Sequence, residues 1–161
     1  MAGKNINRAS KERLENRKYF LNQIYFYLTE GCNLCCRHCW VSPKHQTEER
    51  IYPALDFGLF RSILEQAKPL GLSSVKLTGG EPLLHPRFQE IIEACVKKGK
   101  LMEISTNGQA FTERTIKALV GKPIFLYISL DAACAATYAK IRNDRWDSII
   151  PNLRRLAQER K

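Results

Sequence analysis

Apolar residues follow two alternating periodicities along this chain from residue 21 onward. Four short runs rich in aromatic, β-branched and aliphatic residues predict strands at 23–28, 74–78, 101–106 and 124–130. After each run, apolar residues recur at helical spacing, which predicts a helix behind every strand. The run at 124–130 is nearly all apolar, so we expect that strand to be buried on both faces.

The four predicted helices each have an apolar face. Pro69 and Gly71 end the first helix, Thr112 is a candidate N-cap of the third, and Pro151 is tolerated in the fourth if it lies in the first turn. The apolar faces consist, in chain order, of Phe60, Ile63, Leu64 and Ala67; Phe88, Ile91, Ile92, Cys95 and Val96; Ile116, Leu119 and Val120; and Ile149, Ile150, Leu153 and Leu156.

This alternation of strands and helices predicts an α/β fold with a parallel sheet and right-handed crossovers. In such sheets ligands bind beyond the carboxyl ends of the strands. All four predicted strands end in small, polar or charged residues. The sequences at these ends are 29-TEGC-32, 78-TGGEP-82, 105-STNG-108 and 129-SLDA-132. Together they predict a polar site at one edge of the sheet, with cysteines in its wall.

Composition and charge limit the classes of partner that the chain is expected to bind. The 161 residues suit a single domain, and the net charge is +10. Residues 1–20 carry +4 of that charge and residues 154–161 carry +3, which is typical of solvated ends. Because no recognised nucleic-acid motif accompanies the charge, a nucleic-acid partner is disfavoured. The sequence has neither a signal peptide nor an apolar run that would span a membrane, so we expect a cytoplasmic protein without a membrane partner.

The segment 29-TEGCNLCCRHCW-40 holds four of the six cysteines. Outside a secretory context such a cluster is more typical of a metal or redox site than of disulfides. Cys32, Cys36 and Cys39 form a C-x3-C-x2-C spacing that would leave one position of an iron–sulfur cluster open. The alternative groups Cys32 with Cys35 and Cys36 with Cys39, which would close a structural zinc site or a complete cluster. The residues leave both groupings open.

Together with Gly79-Gly80-Glu81-Pro82, "STNG" and "SLDA", the C-x3-C-x2-C motif resembles the radical S-adenosylmethionine (SAM) superfamily. The wording "LTEGCNLCCRHCW" and "LTGGEPLLHP" is most similar to the SPASM-type maturases of peptides, proteins and cofactors. The resemblance covers about residues 21–160. It implies four β–α units of a partial (β/α)6 barrel, which would end before strands five and six. Residues 21–161 would then be an incomplete catalytic core, preceded by a flexible basic extension at 1–20.

The resemblance also implies cofactors and residue roles. Cys32, Cys36 and Cys39 would hold a [4Fe–4S] cluster whose open iron binds SAM. Reductive cleavage of SAM would give a 5′-deoxyadenosyl radical that abstracts a substrate hydrogen, in peptide, protein or cofactor maturation. The electron would come from a reductant protein such as flavodoxin or ferredoxin. The residues implied to contact SAM are Gly79, Gly80, Glu81, His38, Ser105, Asn107, Ser129 and Arg142.

Among these residues, Glu81 would accept from the SAM ammonium and the two glycines would allow close approach of the backbone. The backbone of His38 would meet the adenine, and Arg142 would pair with the SAM carboxylate. Two other functions stay open: a non-catalytic domain in which four thiols bind zinc or a closed cluster, and a basic α/β domain that binds nucleic acid.

Overall fold

The computed structural model describes residues 20–40, 53–142 and 145–159. The predicted basic extension, apart from Phe20, lies outside the described residues. Four strands form one parallel sheet in the order β1-β2-β3-β4. Their bounds are Gln23–Tyr27 for β1, Ser74–Thr78 for β2, Leu101–Thr106 for β3 and Ile124–Ile128 for β4.

Helices follow the strands, as the periodicity predicts. Their bounds are Phe57–Ala67 for α1, Phe88–Lys97 for α2, Glu113–Leu119 for α3, Ala135–Arg142 for α4 and Trp146–Glu159 for α5. Two short 3₁₀ turns, Lys68–Leu70 and Pro82–Leu84, follow α1 and β2.

Local sequence sets the helix ends. The Asp56 carboxylate caps α1 by accepting from the Leu59 N–H at 2.8 Å. After α1 and its 3₁₀ turn, Gly71 reverses the chain with a φ of 93°. Thr112 caps α3 by accepting from the Thr115 N–H at 3.1 Å, which confirms its predicted role. Each cap satisfies a backbone donor that the first helical turn leaves without a partner.

The hydrophobic core lies on one face of the sheet, against the helices. Alternate strand residues such as Phe26, Val75 and Ile104 point into it, as the twofold side-chain period of a strand requires. The helices α1, α2 and α3 close this core with their predicted apolar faces, for example through Phe60 and Ile91. Burial of these two apolar layers against each other fixes the register of every strand.

The elements that the structure describes leave the opposite face of the sheet uncovered. It carries exposed aromatic rings on the two outer strands: Tyr25, Tyr27, Phe125 and Tyr127. The expectation that 124–130 is buried on both faces is therefore wrong. In β4 the side chains alternate, and Phe125 and Tyr127 are 58% and 52% exposed. We call this surface, with Lys76 and Glu103 at its centre, the open face.

Two features after β4 differ from the sequence prediction. The chain forms α4 before α5, whereas the pattern predicted one helix there. Only Tyr138 and Arg142 of α4 are buried, so this helix has no apolar stripe to reveal it. Pro151 is the sixth residue of α5 and lies beyond its first turn. It is exposed, as is Asp147, whose carbonyl loses a helical partner and can turn to solvent instead.

Parallel pairing brings all four carboxyl ends to one edge of the sheet. Tyr27 pairs with Thr78 in the register of β1 and β2, and Thr106 pairs with Ile128 in that of β3 and β4. The cysteine segment and the three polar loops therefore begin side by side. Within the described part of the chain, every helix is too short or too polar to cross a membrane.

Candidate functional site

The two glycines after β2 press directly against the start of the cysteine segment. The Gly80 N–H donates to the Thr29 carbonyl at 2.7 Å, and the Glu81 N–H donates to the Gly31 carbonyl at 2.8 Å. A Cβ on Gly80 would lie 2.3 Å from the Gly31 oxygen, and one on Gly79 would lie 2.5 Å from the Thr29 oxygen. The close approach of two backbones therefore requires glycine at both positions.

Glu81 joins the loop after β2 to the loop after β3. Its carboxylate is completely buried. One oxygen accepts from the Thr106 hydroxyl at 2.7 Å and from the Leu83 N–H at 3.1 Å. The other oxygen accepts from the Asn107 N–H at 2.7 Å. Burial raises the pKa of Glu81, and these three donors oppose the rise without cancelling it.

Asn107 continues this chain of contacts to the first cysteine. Its side-chain Nδ2 donates to the side-chain Oδ1 of Asn33 at 2.8 Å and lies 3.7 Å from the sulfur of Cys32. Burial raises the pKa of Cys32 to about 11, and the nearby Glu81 charge adds to that effect. A bound metal has to displace this proton, since the thiolate is the ligand.

Cys36, the third cysteine of the segment, contacts the guanidinium of Arg142, 106 positions later in the chain. Cys36 is buried, and its sulfur lies 3.6 Å from Nη1 of Arg142. Burial raises the pKa of the Cys36 thiol, while the Arg142 charge opposes the shift. Arg142 in turn donates through Nε to the Asp131 carboxylate at 2.6 Å. The helix α4 also holds the cysteine segment through its backbone, because the Arg37 N–H donates to the Ile141 carbonyl at 2.9 Å.

The remaining two cysteines of the segment differ in exposure. Cys39 is partly buried, and its N–H donates to the Cys36 carbonyl at 3.1 Å. Cys35 is exposed. Trp40, which follows Cys39, places its ring 6.5 Å from the ring of Tyr27 and so links the segment to the open face.

Comparison with known proteins decides the family. The profile of the Radical SAM superfamily matches residues 26–161. The chain belongs to the radical SAM superfamily. This superfamily uses a [4Fe–4S] cluster and SAM, as the resemblance implied.

Two curated relatives illustrate the range of this superfamily. The tungsten-containing aldehyde ferredoxin oxidoreductase cofactor-modifying protein of Pyrococcus furiosus is 33% identical over 114 residues, which are 69% of this chain and 31% of that protein. The GTP 3′,8-cyclase of Synechocystis sp. is 31% identical over 133 residues, which are 82% of this chain and 40% of that protein. The chain thus spans less than half the length of these relatives.

Solved structures establish the fold. SuiB of Streptococcus suis, bound to its precursor peptide SuiA, matches with a TM-score of 0.77 and 23% identity, over 95% of this chain and 35% of SuiB. The predicted fold, four β–α units of a partial radical SAM barrel, is confirmed. The open face is the face of the sheet that a closed barrel turns inward.

The donor set can be tested against the superfamily's cluster. Cys32, Cys36 and Cys39 present thiols on one segment, and N–H donors from Asn107 and Arg142 approach two of the sulfurs. Thiolates with such donors are the usual environment of an iron–sulfur cluster. In the described ranges no three His, Cys, Asp or Glu side chains converge on one position for a single ion. The chemistry of the donor set, three thiols with N–H donors beside two of them, is what fits an iron–sulfur cluster here.

Three other residues predicted to contact SAM are Ser129, Ser105 and His38. Ser129 directly follows β4, and its N–H donates to the Thr106 carbonyl at 2.9 Å. Ser105 lies on the open face of β3, in register with Tyr127. His38 is exposed in the cysteine segment, with Nε2 3.7 Å from the Asp131 carboxylate. The contacts of these three residues are with other protein groups, so their roles in binding SAM stay predictions.

Sequence reasoning missed residues that hold the site without a motif of their own. The Thr29 hydroxyl accepts from the Gly31 N–H at 3.0 Å, which shapes the turn into the cysteine segment. Asn33 orients the Asn107 amide. Outside the cysteine segment, buried His85 stabilises the chain after the Pro82–Leu84 turn, with Nε2 2.9 Å from the Leu55 carbonyl and Nδ1 accepting from the Arg87 N–H. Threonine before a turn was the one available signal.

Proposed function

We propose that this chain is the first part of the catalytic core of a radical SAM enzyme that matures a peptide, a protein or a cofactor. The observation that carries the proposal is the convergence of Cys32 with Asn107 and of Cys36 with Arg142 at the carboxyl edge of the sheet. A [4Fe–4S] cluster held there by the cysteines, together with SAM, would supply a 5′-deoxyadenosyl radical for hydrogen abstraction from the substrate.

In this proposal Cys32, Cys36 and Cys39 are the cluster ligands and Cys35 is not. Among the four cysteines of the segment, Cys32 and Cys36 are the two whose sulfurs lie within 3.7 Å of a side-chain N–H donor, and these donors oppose the rise in pKa that burial causes. Cys39 is joined to Cys36 through its backbone. The exposed Cys35 lies between Cys32 and Cys36 in sequence. In a closed four-thiol site its side chain would have to turn toward the same cluster as theirs.

The SAM amino and carboxylate groups would be held by residues around the cluster. A carboxylate has about four acceptor positions, and Glu81 uses three, so one remains for the SAM ammonium. Because Glu81 is fully buried, that contact requires a small shift of the loop around Gly79 and Gly80. Arg142 keeps N–H groups beyond its contacts with Asp131 and Cys36, and one of them would pair with the SAM carboxylate.

The adenosine would lie along the strand ends. The His38 backbone would contact the adenine, and Ser105, Asn107 and Ser129 would supply hydrogen-bonding groups to the ribose and carboxylate. Ser105 and Ser129 are both partly exposed at the carboxyl edge, where a ligand can reach them. This edge is where ligands bind in parallel α/β barrels.

The substrate would lie over the open face. Tyr27 and Tyr127 bring exposed aromatic rings to within one strand residue of the carboxyl edge. Aromatic walls suit a peptide side chain or the ring system of a cofactor precursor. SuiB, whose fold this chain shares, was solved with a precursor peptide, which supports a peptide. The similarity to GTP 3′,8-cyclase supports a nucleotide as the second candidate.

The electron for SAM cleavage would come from a small reductant protein such as flavodoxin or ferredoxin. The net charge of +10 suits an acidic partner, since opposite charges steer association.

Anaerobic reconstitution with iron and sulfide tests the proposal. We expect a [4Fe–4S] signal by electron paramagnetic resonance (EPR) after reduction, and a changed spectrum on adding SAM. The signal should survive Cys35→Ala and disappear in Cys36→Ala, which are adjacent and chemically identical substitutions. If both substitutions abolish it and SAM changes nothing, the site is a closed four-thiol centre and the proposal is wrong.

Two further readings separate the other hypotheses. A protein that retains zinc in preference to iron and sulfide would favour a structural four-thiol domain. Affinity for nucleic acid that falls steeply with salt and ignores SAM would favour a nucleic-acid-binding domain.

A further inference from the structure

Arg142 bridges an acidic side chain and one thiol of the cysteine segment. Its Nε donates to the Asp131 carboxylate at 2.6 Å, Nη2 contacts the same oxygen, and Nη1 lies 3.6 Å from the sulfur of Cys36. All three nitrogens of the guanidinium therefore have a partner. The Arg142 side chain is 10% exposed, whereas that of Asp131 is 40% exposed.

The surrounding chain holds this guanidinium in place. Asp131 has a φ of 56°, the one positive φ of a non-glycine residue in the described part of the chain. Such backbone strain persists where surrounding contacts enforce it. On the other side, Tyr138 of α4 is fully buried and its hydroxyl accepts from Gln109 at 3.1 Å. With the Arg37 N–H bound to the Ile141 carbonyl, α4 cannot move away from the cysteine segment without breaking these contacts.

The two contacted sulfurs have different donors. Cys32 faces a neutral amide from Asn107, and Cys36 faces a cation from Arg142. Hydrogen bonds and positive charge near a cluster thiolate favour the reduced cluster, which carries one more negative charge than the oxidised one. Burial strengthens the effect, since charges interact more strongly where water is excluded.

We propose that Arg142, oriented by Asp131, raises the reduction potential of the cluster through its contact with Cys36. This inference rests on the proposed function, since it needs a cluster on Cys36. It gives Arg142 a role that does not depend on SAM, because the contact with the sulfur forms without any ligand. Arg142 is in this sense a positioning and tuning residue for the one-electron reduction of the cluster by an external reductant.

The test measures the midpoint potential of the reconstituted full chain without SAM. Dithionite and mediators set a series of potentials, and EPR follows the reduced cluster. We expect Arg142→Met to shift the midpoint to a more negative potential, and Arg142→Lys, which keeps the charge but not the fork of donors, to shift it less. Arg155→Met is the matched control, since Arg155 donates to the Phe111 carbonyl and should leave the midpoint unchanged.

The outcomes separate a failure of the proposed function from a failure of the role of Arg142. If the unsubstituted chain forms no [4Fe–4S] cluster, the proposed function fails and this inference fails with it. If the cluster forms and the midpoint potentials of Arg142→Met and Arg142→Lys equal that of the unsubstituted chain, only the tuning role of Arg142 is wrong. If Arg142→Met does not fold or hold a cluster, Arg142→Gln, which is polar but has no charge, decides: a lower midpoint supports the role and an unchanged midpoint overturns it.

Discussion

The backbone N–H of Asn107 donates to the buried carboxylate of Glu81 at 2.7 Å. The two residues are 26 positions apart and belong to loops that follow neighbouring strands. The Asn107 side chain also reaches Cys32. The Glu81 carboxylate therefore positions a residue that donates to the cysteine segment, although its own contacts are with Leu83, Thr106 and Asn107. Order at the cluster segment therefore depends on a buried acid in an adjacent loop.

Glu81→Gln should destabilise the fold. The substitution keeps the volume but places an amide NH₂ where one oxygen now accepts from donors, so at least one buried donor loses its partner. We expect the free energy of unfolding to fall by about 1–3 kcal/mol, measured by urea denaturation. Glu113→Gln is the control: Glu113 is exposed and should change the stability little. Equal losses of unfolding free energy in the two variants would contradict a stabilising role of the buried Glu81 carboxylate.

Gly80→Ala should prevent assembly of the site. Its Cβ would lie 2.3 Å from the Gly31 oxygen and 2.6 Å from the Glu30 oxygen, and both are backbone atoms that cannot rotate away. We expect reconstituted Gly80→Ala to retain little iron by colorimetric assay. Gly121→Ala is the matched control, since Gly121 has a φ of 71° but no atom within 4 Å of an added Cβ. It should cost about 1–2 kcal/mol of stability and keep its iron. Full iron in Gly80→Ala would show that the two backbones can separate.

The sequence predicts the parts of this structure that repeat or that have fixed spacing. Strand and helix periods predict the order of elements, and parallel strands bring their polar ends to one edge whatever the loops contain. The cysteine spacing marks the segment in the same way. Thr112 was recognised as a cap because capping depends on neighbours within one helical turn.

Contacts between distant residues could not be predicted. Cys36 and Arg142 are 106 positions apart, and α4 has no apolar stripe to announce that Arg142 is buried. The run at 124–130 misled for a different reason. Apolar residues on both faces of β4 show that both faces could be buried, but they do not show that both are covered. Phe125 and Tyr127 lie on the open face, which no described helix covers.

Asn107→Asp should weaken cluster retention while keeping the backbone contact to Glu81. The substitution removes the amide donors that reach Asn33 and Cys32 and places an acid near a thiolate. Loss of such an orienting partner typically lowers metal affinity by about 10–100-fold. We expect faster loss of iron to a chelator, followed by absorbance. Gln66→Glu is the matched amide-to-acid control, since Gln66 is exposed on α1 and its side chain bonds only to Ser62 in the described ranges, and it should lose iron at the unsubstituted rate. An unchanged rate in Asn107→Asp would rule out support of Cys32 by the amide.

Cys134 should react with iodoacetamide faster than an ordinary exposed thiol near neutral pH. It precedes α4 and is exposed, and donation from the Thr137 hydroxyl and N–H lowers the pKa of its thiol. Below that pKa, a lower value means a larger thiolate fraction and a faster reaction. Thr137→Val removes the hydroxyl and keeps the N–H, so it should slow alkylation near neutral pH, and the two rates should converge above the ordinary thiol pKa. Peptide mass spectrometry at a series of pH values separates Cys134 from the other cysteines. Coincident rate profiles for the two proteins would show that the Thr137 hydroxyl leaves the Cys134 thiol unaffected.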